Sequence, residues 1–538
     1  MFYSCAAVMS PPGGPKDDIP PELVQVTPPN GTIKFSGGRV ELLFSEYIDE
    51  NTVNRAIKVF PQLSEELDIT YKGKRLFVDF PNSLYPDQTY ILSIDRNLSD
   101  EQRIKLTNNM QIAFSTGNQI DKGSIGGKVY YSKPSSLNLW KIQNKLDSVD
   151  YFQKKPDYVI DTSDDGKFNF KFLSKGKYRI VAVDKILSGV PIVQDKINYG
   201  LSWYPIIDLT ENDSHTGLNI RVPDQIGGLK IIGAESLQGS WGTISFSGSI
   251  KEIFNKIPIK IIKEDSSSIK FDIFKDINDE SKIHFRLDDS LDDFISVQTL
   301  GLKKNNINIV SPGMIKVKMQ SIIDTTELSI TQPYENYIQI IESEKILPLE
   351  INFSTQVQLN TTKDIFKLVE DSTIVSFDIE LNTPLSVKLI PKNNWKPKAK
   401  YTLFINRSGV VPIFGQSFKD SLLSISIKTS GFKKYGKLKV QTSFDSEKKI
   451  IAELAGMKKE LPILRSLVNS DGIIELEQIP EGNYSLMFFQ DNNEDMQYSY
   501  GVINPYYQPE WFHFYSDTVK VRANWEVELD QLNLKMDN

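Results

Sequence analysis

The sequence predicts an all-β chain, a tandem and elongated array of small β-sandwich modules. Three observations carry this. Short runs alternate polar and apolar residues with period two, as in Val40-Glu41-Leu42-Leu43-Phe44, Leu76-Phe77-Val78-Asp79-Phe80 and Tyr90-Ile91-Leu92-Ser93-Ile94. A strand sends successive side chains to opposite faces, so this rhythm marks half-buried strands. Turn signals such as Pro29-Asn30-Gly31, Asp165-Gly166 and Asp471-Gly472 separate the runs, while long amphipathic helical patterns are nearly absent. Groups of residues also recur at fixed spacing, the mark of duplicated modules.

The elements follow in chain order. Residues 1–19 form an N-terminal tether, with the only cysteine, Cys5, ahead of a Pro/Gly-rich stretch and the charged triplet Lys16-Asp17-Asp18. Residues 20–117 form a first module, A1. It carries Phe44-Ser45-Glu46, Leu84-x-Pro86-x-x-x-Tyr90 and Phe114-Ser115-Thr116-Gly117. Residues 118–222 form B1, with a Gly126-Gly127 strand start, the Asp165-Gly166 turn, Gly176 and Tyr178. Residues 223–325 form a further β module, C, in which Pro258 predicts a strand start or an edge. Residues 326–431 form A2, where Phe353-Ser354-Thr355, Trp395-x-Pro397-x-x-x-Tyr401 and Thr429-Ser430-Gly431 repeat the A1 pattern. Phe to Tyr spans 46 residues in A1 and 48 in A2. Residues 432–538 form B2, in which Asp471-Gly472, Gly482 and Tyr484 repeat the B1 set at a constant offset of 306. The linkers at 117–119 and 430–432 are short, which favours a semi-rigid rod over a flexible string.

Composition sets outer limits on function. The chain has 538 residues, 40% hydrophobic and 11% aromatic, enough for several independent cores. Against 62 basic residues stand 69 acidic ones, a net charge of −7, so no nucleic-acid partner is expected. One cysteine and three histidines (His215, His284, His513) exclude a zinc cluster, an iron–sulfur site and an internal disulfide framework. No run of about 18 apolar residues encodes a transmembrane helix.

Residues with specific chemistry are few. Neither Gly-x-Ser-x-Gly nor a phosphate-cradling Gly-x-x-x-x-Gly-Lys-Ser/Thr occurs. The acidic pairs Asp164-Asp165, Asp288-Asp289 and Asp292-Asp293 lack calcium-loop spacing, and Asp164-Asp165-Gly166 reads as a hairpin turn. No cofactor, no metal site and no catalytic residue is expected, and Glu46 reads as a surface or loop group. The most distinctive stretch is Asn504–Tyr515, with Tyr506, Tyr507, Trp511 and Phe512. A weaker echo in B1 contains Trp203 and Tyr204. Exposed, these rings would form a candidate interaction surface for a protein or a glycan. Packed, they would belong to their own or a neighbouring module.

A1 resembles a bacterial Ig-like domain of the surface-layer type, on Pro20-Pro21, Pro28-Pro29-Asn30-Gly31, Phe44-Ser45-Glu46, Leu84-x-Pro86-x-x-x-Tyr90 and Phe114-Ser115-Thr116. A2 shares this pattern with Thr355 in place of Glu46 and without the Pro-Pro lead. The B modules are similar to transthyretin-like or carboxypeptidase-regulatory-like sandwiches, on the Asp-Gly turn and the Gly-x-Tyr strand start. Cys5-Ala6 and Pro12-Gly13-Gly14-Pro15-Lys16-Asp17 resemble the mature start of a Bacteroidota lipoprotein family. Ser4 fits the position before the acylated cysteine, although Phe2 replaces the usual leucine and no charged or apolar signal region precedes it. The resemblance implies lipid attachment at Cys5, where two or three acyl chains would hold a membrane stably. It also implies an outer-membrane or cell-surface address, with the periplasmic face as the other option. The resulting expectation is a non-enzymatic spacer or scaffold whose partners are envelope or outer-membrane proteins. The alternative is a surface adhesin or glycan binder that uses the aromatic clusters of the B modules.

Overall fold

The computed structural model describes all residues except 1–16, 64, 143–149, 195, 225–227, 239, 252, 305–306, 321–323, 361–363, 445–448, 459 and 535–538. Cys5 and most of the tether therefore lie outside the described residues. Nearly all the regular secondary structure is strand, gathered into pairs of sheets that enclose separate cores.

In A1 the period-two runs become a four-stranded antiparallel sheet, ordered Leu23–Thr27, Gly38–Phe44, Arg75–Phe80, Asp68–Lys72. Ile57–Phe60, Thr89–Ile94 and Met110–Ser115 form the facing sheet. Val40, Leu42, Phe44, Leu76, Val78 and Phe80 point inward and are buried with Tyr90, Leu92, Ile94 and Phe114. One short helix, Glu50–Ala56, is capped by the Asp49 carboxylate accepting from the Asn51 amide at 3.0 Å. A2 repeats the first sheet as Ile330–Gln332, Leu349–Phe353, Ser386–Pro391, Phe377–Thr383.

Hydrogen bonds explain why the A motifs recur. The Tyr90 hydroxyl accepts the Tyr85 amide at 2.9 Å, and the Tyr401 hydroxyl accepts the Lys396 amide at 3.1 Å. Each acceptor thus satisfies the amide just before the motif proline. Thr116 and Thr429 hydroxyls then donate to the carbonyls of Tyr85 and Lys396, at 2.7 and 2.6 Å. The serine after each motif phenylalanine accepts the backbone amide of the residue just before the first sheet strand of its module, Glu22 to Ser45 at 2.9 Å and Ser329 to Ser354 at 3.0 Å.

The B modules share one topology. In B1, Lys167–Leu173, Gly123–Tyr130 and Ser214–Arg221 form a sheet whose last pair is parallel. Ile473–Ile479, Gly436–Phe444 and Glu526–Leu534 do the same in B2. The other sheet is Tyr158–Asp161, Ser135–Ile142, Gly176–Asp184, Tyr199–Leu201 in B1, and Ile463–Leu467, Ile450–Gly456, Gly482–Gln490, Phe512–Phe514 in B2. Tyr178 donates its hydroxyl proton to the Ser174 carbonyl at 2.6 Å, and Tyr484 to the Pro480 carbonyl at 2.8 Å. Both are tyrosine corners, which bond back to backbone a few residues upstream.

The Asp-Gly turns correct one detail of the sequence reading. The strands on either side of Asp165-Gly166 lie in different sheets, so the turn crosses the sandwich and does not close a hairpin. Gly166 and Gly472 adopt φ of +81° and +75°, and a Cβ there would meet the Val129 or Thr442 carbonyl oxygen at 2.4 or 2.1 Å. Only glycine fits both the conformation and the space.

Module C has the same two-layer plan. Ile231–Gln238, Trp241–Phe246, Lys282–Leu287 and Phe271–Lys275 face Ile259–Lys263, Phe294–Thr299 and Gly313–Lys318. Pro258 precedes Ile259–Lys263, an edge strand, as its missing amide predicts.

The modules also touch. Phe60 and Ile91 of A1 belong to the B1 core, and Gln111 exchanges hydrogen bonds with the Asn169 carbonyl (2.8 Å) and the Lys171 amide (3.0 Å). Trp241 of C stacks on Phe414 of A2 at 6.0 Å, with Leu385 beside it. Between A2 and B2, Gln478 donates to Glu344 at 3.0 Å. The rod expected from short linkers acquires one contact that a simple string lacks: B2 packs on B1.

Candidate functional site

The aromatic stretches of the two B modules meet at the B1–B2 seam. After the strand Gly482–Gln490, the chain makes a long excursion before returning as Phe512–Phe514. Glu510 anchors this excursion. Its two carboxylate oxygens accept the Asn492 amide at 2.8 Å and the Ser499 amide at 2.9 Å. Burial pushes its pKa up to about 7, against the pull of those two amides, and neighbouring Asp491 and Asp495 add to the rise.

The excursion carries Ile503 and Tyr506 onto the outer face of B1. There they join Trp140, Phe152, Val181, Val183 and Tyr199 in one apolar cluster. The Ile503 amide donates to the Tyr199 hydroxyl at 3.3 Å, and the Arg179 guanidinium lies 5.2 Å above the Tyr506 ring. B1 reciprocates at the end of its parallel strand pair. Tyr130 stacks on Phe514 at 4.5 Å and meets Phe512 edge-on at 5.5 Å. Its pair partner in the register, Arg221, sits 5.1 Å from the Tyr498 ring centre, 5.2 Å from Tyr500 and 5.9 Å from Phe514. Arg221 Nη1 also lies 3.4 Å from Met487 Sδ. A half-buried guanidinium flanked by ring faces is a favourable cation–π arrangement.

The six rings singled out by sequence divide as follows. Trp511 and Phe512 are buried, at 7% and 5% exposure, Trp511 in the B2 core and Phe512 against Tyr130. Tyr506 packs on B1. Trp203 packs against the B2 core, and its carbonyl accepts from Gln508. Tyr204 packs on the B1 core and meets His215 edge-on at 4.8 Å. Tyr507 remains 47% exposed. The packed arrangement therefore accounts for five of them, because each ring removes more apolar surface from water at the seam than on an open face.

Sequence reasoning missed the other half of the seam. Tyr130, Arg179, Arg221, Met487, Tyr498 and Tyr500 lie in unremarkable strands and loops. Alternating Tyr498-Ser499-Tyr500 was the one local signal.

A second feature lies between A1 and B1. A cleft of about 700 Å³ is lined by Arg96, Lys105, Lys128, Lys133 and Lys185 together with Asp164 and Asp165. Arg96 pairs with Asp164 at 2.7 Å, and Lys185 pairs with buried Asp161 at 2.7 Å. Lys167 and the Ser163 hydroxyl hold the Asp165 carboxyl well below the usual range. Of these, the Arg96–Asp164 pair ties the turn at Asp164-Asp165 to A1, and the others hold within B1.

Residues 17–116 match the family model described as a bacterial Ig-like domain. No curated protein matches the chain. Among solved structures it is similar to the N-terminal part of the bacterial S-layer protein SbsC, at 10% identity over 38% of this chain and 44% of that one, TM-score 0.18. It is also similar to native E. coli alpha-2-macroglobulin, at 9% identity over 87% of this chain and 33% of that one, TM-score 0.15. The four N-terminal Ig domains of Dscam1 match at 9% identity over 76% of this chain and 99% of that one, TM-score 0.18. The chain spans less than half the length of the first two, and scores this low bear on no functional argument.

Proposed function

We propose that this chain is a non-enzymatic scaffold of the bacterial cell envelope, displayed at a membrane surface through a lipid on Cys5. Its Ig-like and transthyretin-like modules would hold envelope or outer-membrane proteins at fixed positions. The observation that carries the reading is the B1–B2 seam. Modules separated by more than 200 residues of sequence are locked by aromatic and cationic groups, and a locked frame serves positioning. The Ig-like match over residues 17–116 agrees with a structural, surface-type role. Among the described residues, no helix is long and apolar enough to cross a membrane, so attachment through Cys5 would supply the anchor. A glycan-binding adhesin is the weaker reading, because most of the rings it would use are engaged within the chain.

The test is purification from native envelopes in mild detergent, with a tag after Asn538. Stoichiometric recovery of membrane proteins, together with acyl mass on the Cys5 peptide, is the expected result. Recovery of the protein alone, or a Cys5 peptide without acyl mass, would overturn the scaffold or the anchor respectively.

A further inference from the structure

Three carboxylates from distant parts of the sequence meet at one end of A1. Asp17 comes from the start of the described chain. Glu46 follows the strand Gly38–Phe44, and Asp100 lies in the loop after Thr89–Ile94. One oxygen from each lies within 4.8 Å of the other two. The backbone fixes this meeting: Ile48 pairs with Asp100 in an isolated bridge, and the Asp49 amide donates to the Ser99 carbonyl at 2.8 Å.

Asp100 is the telling member. It is only 1% exposed, and its Oδ1 accepts the Ile104 amide at 2.8 Å. Its Oδ2 is buried and has no hydrogen-bond partner among the described residues. An ionised carboxylate oxygen with neither water nor a donor is costly, and such groups are paired or coordinate metals. Asp17 and Glu46 are further carboxylates, so they add repulsion and no donor. Burial, then the charges of Asp100 and Asp17, push the Glu46 pKa up, with Lys74 opposing. Lys74 donates to the Ser45 carbonyl at the rim. Among the described residues, one ammonium against three carboxylates leaves the cluster short of positive charge.

We propose that Asp17, Glu46 and Asp100 bind a calcium ion that clips the chain entering A1 onto the sandwich. The donors are all hard oxygens, with no histidine or cysteine, which selects calcium or magnesium over transition metals. Calcium–oxygen bonds of about 2.3–2.6 Å span ligand separations up to this spacing, and calcium tolerates irregular geometry with water completing the shell. The ion would supply the partner that Asp100 Oδ2 lacks. It would also stiffen the joint between the N-terminal tether and the first module, whatever the tether is attached to.

The experiment uses the full chain, stripped with chelator and titrated with calcium chloride by calorimetry. Hydrogen exchange is then followed with and without the ion. One site in the range of about 10⁻⁴–10⁻³ M is expected, as for extracellular modules. Protection should rise in peptides spanning 17–24, 44–50 and 98–106 together. Asp100→Asn and Glu46→Gln should each weaken binding at least about tenfold. Glu46 is the less buried of the two, so its variant keeps the test valid if Asp100→Asn unfolds A1. Absence of uptake at 10 mM calcium, protection confined to other segments, or unchanged affinity in Glu46→Gln would each overturn the assignment.

Discussion

Replacing Arg221 should open the B1–B2 seam without unfolding either module. Its guanidinium lies 5.1, 5.2 and 5.9 Å from three ring centres, and Tyr498 is buried while Tyr500 is largely so. A cation–π contact is worth about 0.5–1 kcal/mol when exposed and about 2 kcal/mol when desolvated. One cation cannot sit ideally over three rings, so about 2–3 kcal/mol is a reasonable total for Arg221→Ala. At 1.4 kcal/mol per factor of ten, local opening should become roughly 30- to 150-fold more frequent. Native-state hydrogen exchange reads this directly. Peptides covering 124–131, 214–222 and 498–514 should accelerate by that factor, while peptides in A1 and C stay unchanged. Arg221→Lys keeps the charge but loses the planar face, so it should fall about midway. A double-mutant cycle with Tyr498→Leu should show coupling of about 1 kcal/mol. Acceleration below about threefold, or acceleration confined to 214–222, would refute the claim that this residue joins the modules.

Four further outcomes follow from the geometry. Tyr90→Phe removes the acceptor of the partly buried hydrogen bond from the Tyr85 amide and should destabilise A1 by about 0.5–1.5 kcal/mol, read as a fall in its melting transition. Gly472→Ala places a Cβ 2.1 Å from the Thr442 carbonyl at φ +75°, so B2 should lose more than the roughly 1 kcal/mol of an ordinary glycine replacement. Burial lowers the pKa of His284 from 6.5, against the pull of Asp276 at 2.9 Å. The unfolded chain then binds more protons than the native one below pH 6.5, so stability is full above that pH and falls on acidification. Fluorescence of Trp241, 5.2 Å from His284, should report loosening of the C–A2 contact, and an unchanged spectrum between pH 7.5 and 5 would count against it. Glu510 runs the opposite way. Its pKa rises from 4.5 to about 7, so the native state holds more protons across that window and the B2 excursion should lose stability as pH rises through it. Exchange in peptide 491–510 at pH 5 and pH 7.5, corrected for intrinsic rates, would measure the difference.

What could be read from sequence was local. Period-two alternation gave the strands because the half-buried faces of sandwiches demand it. The repeated Tyr90/Tyr401 and Tyr178/Tyr484 motifs were visible because each bonds a backbone group four or five residues away, and the spacing must survive duplication. The seam was only half legible. Tyr506, Trp511 and Phe512 form a conspicuous run, but their partners Tyr130 and Arg221 are single residues at strand ends, brought together by a parallel pairing across 91 residues. Whether a ring is exposed or packed depends on such partners, which composition does not reveal. The carboxylate cluster was illegible for the same reason: Asp17, Glu46 and Asp100 stand 29 and 54 residues apart. Glu46 alone looked like an ordinary surface charge.

The two copies of the duplicated module enter the seam with different residues. Gly166 faces the Val129 carbonyl as Gly472 faces that of Thr442, so Tyr130 corresponds to Ser443. Their pair partners on the parallel last strand are Arg221 and Asn533. B1 therefore inserts an aromatic ring and a guanidinium into the sheet face of B2, while B2 offers only a serine and an exposed asparagine at the same place. The contact is heterologous, and heterologous contacts between like units propagate into fibres unless something stops them. Here the stop is built into the sequence: the second copy has the socket, filled, and lacks the plug. The aromatic surface of the B modules is therefore largely spent inside this chain, where it braces B1 against B2.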